Sequence, residues 1–373
     1  MQENPLKQLG SLGQSIWLDY IRRDLITSGR LQRLIDEDGL RGMTSNPAIF
    51  EKAIDESQEY DTDIQALVHN GKNAQEIYET LTQQDVKSAA DKFRPLYERT
   101  AGKDGYVSLE VNPHLAHDTA GTLAEARRLW GALNRPNVFI KVPATAAGLP
   151  AIQQLISEGI NVNVTLLFGV ARYRQVAEAY LAGLEARATQ GPPVASVASF
   201  FISRIDALVD VALEKIIVAD GQSADRAKQV CGQVAIASAK LAYQAYKDLF
   251  NSDRFQKLAV LGARVQRVLW ASTGTKNPHY SDVKYMEALI GPDTVNTVPV
   301  ETLNAYRDHG VPHARLEEDV ATARWVLEQL PDLEIRIDQV AQQLEDEGVK
   351  KFYQPFDQLM AALAQTAGRS TPS

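Results

Sequence analysis

Short apolar runs alternate with stretches of helical periodicity along most of this chain. Eight runs have strand length and strand composition: residues 15–20, 40–45, 106–111, 138–142, 161–166, 194–200, 267–271 and 294–299. Between them, segments such as 122–130 and 173–181 bring apolar residues back once per helical turn. Strands alternating with helices imply a parallel sheet, and eight such units are the count of a closed α/β barrel, the (β/α)8 TIM barrel. The competitor is an open doubly wound sheet. No Gly-x-Gly-x-x-Gly follows an early strand, so the dinucleotide-binding version of that fold has no support.

Two connections are too long for a single crossover helix. Residues 51–104 and 206–264 each carry at least two helical patterns, and both read as helical insertions in the barrel. The C-terminal part is helical again over 315–330 and 354–363, where it is expected to cover one end of the barrel. No Pro/Gly/Ser-rich linker interrupts the pattern, so residues 1–373 are expected to form one domain with additional helices. The small, polar residues 368–373 read as a disordered tail.

Composition narrows the function. The 373 residues are 45% hydrophobic and 23% charged, with a net charge of −8 and both signs interspersed, so no basic face for nucleic acid is expected. The one cysteine, Cys231, can make neither an internal disulfide nor a cysteine-rich metal site, which fits a reducing compartment. It reads as a packed helix residue rather than a nucleophile. The first ten residues lack the charged and apolar regions of a signal peptide, and no apolar stretch is long enough to span a membrane. A cytoplasmic protein is expected. Amphipathic outer helices fit a monomer or a homodimer equally.

Candidate chemistry lies where barrels keep it, at the C-terminal strand ends. Lys141 stands in the apolar run Val138-Phe139-Ile140-Lys141-Val142-Pro143. Burial disfavours the charged form of an amine, and a neutral amine is a nucleophile toward carbonyl carbon. The plainer reading is a lysine that snorkels to solvent or pairs with a carboxylate. The other strand ends tilt the balance: Asp19; Thr44, Ser45 and Asn46; Glu110 and Asn112; Asn163 and Thr165; Ser199 and Arg204; and Ser272 through Lys276. Each alone has an ordinary explanation, as a helix cap, a turn or an ion pair. Together they suit an imine mechanism. Lys141 would attack a ketone, Glu110 on the adjacent strand would shuttle protons at the carbinolamine, and Asp19 would take the hydroxyl proton at the bond being cleaved. Asn46 and Asn163 would hold sugar hydroxyls. Ser199, Arg204 and Lys276 fall near the usual phosphate corner of barrels.

At these residues the chain resembles the transaldolases. Gly42-Met43-Thr44-Ser45-Asn46-Pro47-Ala48-Ile49-Phe50 looks like that family's strand-two signature. Val138-Phe139-Ile140-Lys141-Val142-Pro143-Ala144-Thr145-Ala146-Ala147-Gly148-Leu149 looks like its active-lysine signature, and Asn161-Val162-Asn163-Val164-Thr165-Leu166-Leu167-Phe168 resembles its strand-five motif. The likeness runs from about residue 17 to 303. It implies a cofactor-free barrel transferase of the non-oxidative pentose phosphate pathway, acting on small sugar phosphates. Such an enzyme would move a dihydroxyacetone unit from sedoheptulose 7-phosphate to glyceraldehyde 3-phosphate, giving erythrose 4-phosphate and fructose 6-phosphate. Carried over residue by residue, Lys141 is the Schiff-base residue and Glu110 the acid/base acting through a water. Asp19 is the proton acceptor in bond cleavage, and Thr165 orients that water. Asn46 and Asn163 contact the donor, Ser199 with Arg204 binds phosphate, and Thr44, Ser45, Ser272 and Lys276 are further substrate-binding candidates. The chain departs from the commoner family pattern after strand seven, where Ser272-Thr273-Gly274-Thr275-Lys276-Asn277-Pro278 replaces an arginine-containing motif. There Lys276 would act as a point charge without a bidentate fork. The pattern resembles the longer bacterial subgroup, also found fused to a sugar-phosphate isomerase.

Three rivals stand beside this reading. A fructose 6-phosphate aldolase would share the lysine but release free dihydroxyacetone; those relatives typically lack a glutamate on strand three, so Glu110 favours transfer. A metal-dependent lyase or isomerase could use His114, His117 and Asp118, although Pro113 breaks the strand and Asp118-Thr119 looks like a helix cap, so no metal is expected. A non-catalytic barrel would leave all these groups idle.

Overall fold

Each apolar run pairs with the next in the chain. The computed structural model describes residues 4–187 and 191–369. Its strands are β1 (Gln14–Asp19), β2 (Gly42–Thr44), β3 (Tyr106–Glu110), β4 (Val138–Pro143), β5 (Val162–Leu167), β6 (Ser196–Phe201), β7 (Arg267–Ala271) and β8 (Thr294–Val298). All neighbours are parallel and β8 returns to β1, so the sheet closes as a (β/α)8 barrel in chain order. Lys141 does not end its strand as the sequence suggested. It is followed by Val142 and Pro143 within β4, and it therefore sits deeper than a strand tip.

The first long insertion folds as helices Pro47–Asp55, Asp61–His69 and Ala74–Arg99. The 26-residue helix starts at a capping box in which Asn73 and Glu76 each satisfy the other's backbone N–H. The second insertion gives Ser203–Val218, Ala224–Val230, Val234–Phe250 and Asp253–Val260. Two more helices follow β8 and its own helix, at Val320–Gln329 and Ile337–Arg369. The last is 33 residues long and far exceeds the expected 354–363. Gly368 and Arg369 continue it and are not tail, while residues 370–373 lie outside the described residues. Cys231 sits at the C-cap of Ala224–Val230, where burial raises its thiol to about 11 and keeps it a poor nucleophile.

Residues two apart on a strand share a face. Trp17, Tyr106 and Phe139 stack inside the barrel, with ring centres 6.0 Å apart for Trp17–Phe139 and 4.3 Å for Tyr106–Phe139. Two or four residues onward, the same faces carry Asp19, Glu110 and Lys141. The aromatic layer thus floors the polar one. Gly42 lies flat against the Trp17 indole, where a Cβ would come within 2.6 Å of the ring. Beneath that floor, Arg267 pairs with Asp104 at 3.0 Å and donates to Ser15, closing the N-terminal end, where barrels keep groups for stability.

Candidate active site

Register alone brings the candidate groups together. Glu110 and Lys141 are direct partners across β3 and β4, Lys141 and Asn163 across β4 and β5, and Asp19 and Thr44 across β1 and β2. Lys141 Nζ lies 2.9 Å from Glu110 Oε1 and donates to the Ser45 carbonyl at 2.9 Å. Both members of the pair are buried, with side chains 6% and 8% exposed. Neither Glu110 oxygen makes an aligned hydrogen bond among the described residues, so the carboxyl keeps capacity to accept or pass a proton. Burial pushes the Glu110 carboxyl above its ordinary range, and Lys141 only partly opposes this.

Asp19 is the second carboxyl. Burial raises it too, against the pull of Lys141, a hydrogen bond from Thr44, and the charges of Arg204 and Lys276. Thr44 Oγ1 donates to Asp19 Oδ1 at 2.7 Å and meets Thr297 Oγ1 at 2.6 Å, which fixes the carboxyl's direction. Between 3.8 and its raised value, Asp19 holds a proton in the folded chain that the unfolded chain has lost. Stability from this group therefore falls as pH rises through that window. Asp19→Asn is expected to unfold at higher urea than the wild type at pH 8, with the gap narrowing as pH drops toward 3.8. A variant less stable at pH 8 would show that the surrounding cations outweigh burial.

Asp19, Lys141, Thr165, Ser199, Arg204 and Lys276 line one cavity of 160 Å³, together with Thr44, Asn46 and Ser272. The Thr165 hydroxyl is buried and has no hydrogen-bond partner among the described residues. The next residue, Leu166, takes a left-handed φ of 61°, and the β5–β6 register shifts beside it. Such backbone costs about 1–3 kcal/mol for a non-glycine residue and gathers at working sites. Ser272, past the end of β7, is left-handed as well, with φ 54°, and its hydroxyl lies 3.0 Å from that of Ser203. Arg204 is half-buried against the Phe201 ring at 5.5 Å, and one of its buried guanidinium nitrogens has no partner among the described residues. A cation so placed is suited to a dianion. Burial lowers its pKa, while Asp19 and Glu347 hold it up. Asp206 and Asp210 tie the segment between β7 and β8 to the helix bearing Arg204, by accepting from Tyr285 at 2.9 Å and Tyr280 at 2.8 Å.

Not every candidate reaches the cavity. Ser45 is fully buried, its hydroxyl donating to the Ser108 carbonyl at 2.7 Å. Asn163 is fully buried as well. Its amide donates to Ser108 Oγ at 3.0 Å and accepts from Ser199 Oγ at 2.6 Å, so it braces Ser199 from below. Asn46 lines the cavity, but its side-chain oxygen caps helix Pro47–Asp55 at the Ile49 N–H. His114 pairs with Asp357 at 2.7 Å and stacks on Tyr353, while Asp118 caps the next helix. Among the described residues no group of three or more His, Cys, Asp or Glu is placed to share a metal ion.

Sequence reasoning missed Thr297, Phe201 and Phe352, all on the cavity wall. Phe201 could have been found, since it shares a strand face with Ser199 two residues earlier. A larger groove of 1030 Å³ opens outside the barrel and shares Asp19 and Pro299 with the cavity.

The fold and the site define a class: a barrel enzyme equipped for imine chemistry, with a buried lysine–carboxylate pair at its mouth, a second carboxyl across the cavity and an anion-suited corner. The comparisons narrow it. The family described as Transaldolase/Fructose-6-phosphate aldolase matches residues 16–363. The chain is 49% identical to a transaldolase of Trichodesmium erythraeum over 379 residues, covering 100% of both chains. It is 49% identical to transaldolase 2 of Nostoc punctiforme, covering 97% of each, and 46% identical to a transaldolase of Thiobacillus denitrificans, covering 96% of this chain and 99% of that one. The chain belongs to the transaldolase/fructose-6-phosphate aldolase family, a family of enzymes.

Proposed function

We propose that this chain is a transaldolase that carries a dihydroxyacetone unit between sugar phosphates on Lys141. The observation that carries the reading is the Lys141–Glu110 pair at 2.9 Å, buried at the barrel mouth beside Asp19. A buried ion pair adds little stability for its desolvation, so its retention is better explained by chemistry. Full-length likeness to curated transaldolases supports transfer over simple release.

The proposed cycle uses these groups in turn. The Lys141 amine adds to C2 of the ketose, and the carbinolamine loses water with Glu110 supplying and collecting the proton. Thr165, whose hydroxyl has no partner among the described residues, orients the water that relays it. Asp19 takes the C4 hydroxyl proton, the C3–C4 bond breaks into the iminium, and an aldose phosphate leaves. The remaining enamine adds to the carbonyl of the acceptor, Asp19 returns its proton, and hydrolysis of the new imine frees Lys141. Thr44 and Thr297 aim Asp19, and Asn46 offers its amide N–H to the donor. Ser199, Ser272, Arg204 and Lys276 receive the phosphate. Asn163 and Ser45 act from beneath the cavity, one on Ser199 and the other on Lys141. The enzyme works in this reading as one domain, a monomer or homodimer of the cytoplasm, on the pentose phosphate pathway.

The test supplies fructose 6-phosphate and erythrose 4-phosphate and follows sedoheptulose 7-phosphate. Steady turnover with acceptor, and arrest after one equivalent without it, supports transfer. Fast cleavage without acceptor would instead favour the aldolase. Arg204→Gln should raise KM for fructose 6-phosphate by about 10–150-fold, the worth of a hydrogen bond to a charged group. Cleavage of unphosphorylated fructose should change little; equal losses on both would remove Arg204 from the phosphate.

A further inference from the structure

The long C-terminal helix Ile337–Arg369 does more than cover a surface. It packs against β5, against helices Pro47–Asp55, Ala74–Arg99 and Ser203–Val218, and against the turn after β3, all around the mouth. Phe352, from this helix, lines the 160 Å³ cavity with Lys141 and Asp19. Phe352 and Val349 also line a small void beside Glu110 and Leu166. On the far side of Glu110, Phe356 packs edge-on to Tyr78 at 5.4 Å. The helix comes so close that a Cβ on Gly348 would lie 2.9 Å from the Leu166 side chain. It is pinned by His114, which stacks on Tyr353 at 4.5 Å and pairs with Asp357, and by Arg172 to the buried Glu345 at 3.3 Å. An apolar wall is therefore held over the reacting pair from an element remote in sequence.

We propose that Phe352 decides the fate of the three-carbon unit left on Lys141, favouring transfer to an aldehyde over loss to water. The inference rests on the function proposed above. After cleavage, the unit is an enamine with two exits. It can attack an acceptor carbonyl. Alternatively, carbon takes a proton to give the iminium, water adds, the C–N bond breaks, and dihydroxyacetone leaves with the lysine amine restored. The second exit consumes one water and needs it beside Lys141 and Glu110. Phe352 occupies the approach to both with a side chain that neither donates nor accepts a proton. Bulk water is thereby excluded while the acceptor, with its phosphate on the cation side of the cavity, still displaces into place.

The experiment compares wild type, Phe352→Ala and Phe352→Leu in two assays on one preparation. One follows transfer from fructose 6-phosphate to erythrose 4-phosphate. The other follows repeated release of glyceraldehyde 3-phosphate without acceptor. Phe352→Ala should raise the ratio of release to transfer by about tenfold or more, the lower range of what one pocket contact discriminates. Phe352→Leu, still apolar and bulky, should stay within about twofold of wild type. A ratio unchanged in Phe352→Ala, or both rates falling in parallel, overturns the inference. If Phe352→Ala does not fold, Val349→Ala opens the Glu110 side alone and must shift the ratio in the same direction. Wild type that shows no transfer overturns the proposed function itself. Wild type that transfers, with an unmoved ratio in the variants, overturns only the role of Phe352.

Discussion

Lys141→Arg is expected to lower kcat/KM for transfer by at least ~10⁴-fold, the scale on which removal of a covalent nucleophile acts. A guanidinium stays protonated and cannot form the imine. The fold should survive. Arginine keeps a positive charge beside Glu110, so the buried carboxyl is not left without a counter-charge. Lys141→Met would remove that charge as well and confuse lost chemistry with lost stability. Circular dichroism and urea unfolding check the fold, and a coupled assay for glyceraldehyde 3-phosphate checks activity. Turnover within tenfold of wild type in Lys141→Arg would exclude a covalent role.

Glu110→Gln carries the second largest effect. Glutamine keeps the shape but has no acidic proton to give or take, so imine formation should slow by ~10²–10⁴. That is about 3–5 kcal/mol on the barrier. The loss should fall on kcat with KM little moved, because Glu110 stands against Lys141 and away from the phosphate corner. Pre-steady-state trapping of the imine separates the steps. An unchanged rate of trapping would take Glu110 out of proton transfer.

The barrel was legible because its strands are apolar runs bounded by helical patterns. The errors have local causes. Residues 40–45 read as six strand residues, yet only Gly42–Thr44 pair. Leu40 N–H instead bonds back to the Leu34 carbonyl and closes the preceding helix, and Ser45 turns its carbonyl to Lys141. The long final helix was half hidden because residues 337–353 are rich in charge and contain Gly348, a poor helix former. The glycine is explained only by its contact with Leu166, which local pattern does not reveal.

The site was legible in residue type and less so in depth. Lys141, Glu110 and Asp19 follow from strand position, and register then sets them side by side. Asn163 has the chemistry to hold a sugar hydroxyl, yet both ends of its amide are used inside the barrel. Polar type does not tell a cavity-facing amide from one that braces its neighbours. Phe352 lies more than two hundred positions from Lys141, and only tertiary packing brings it to the cavity.

The proposed cycle requires that Lys141 become covalently bound to the donor. Borohydride reduction in the presence of fructose 6-phosphate, followed by peptide mass mapping, tests it most directly. A reduced dihydroxyacetone adduct is expected on the peptide containing Lys141 and on no other lysine. An active preparation that yields no adduct, or one on a different lysine, would contradict it.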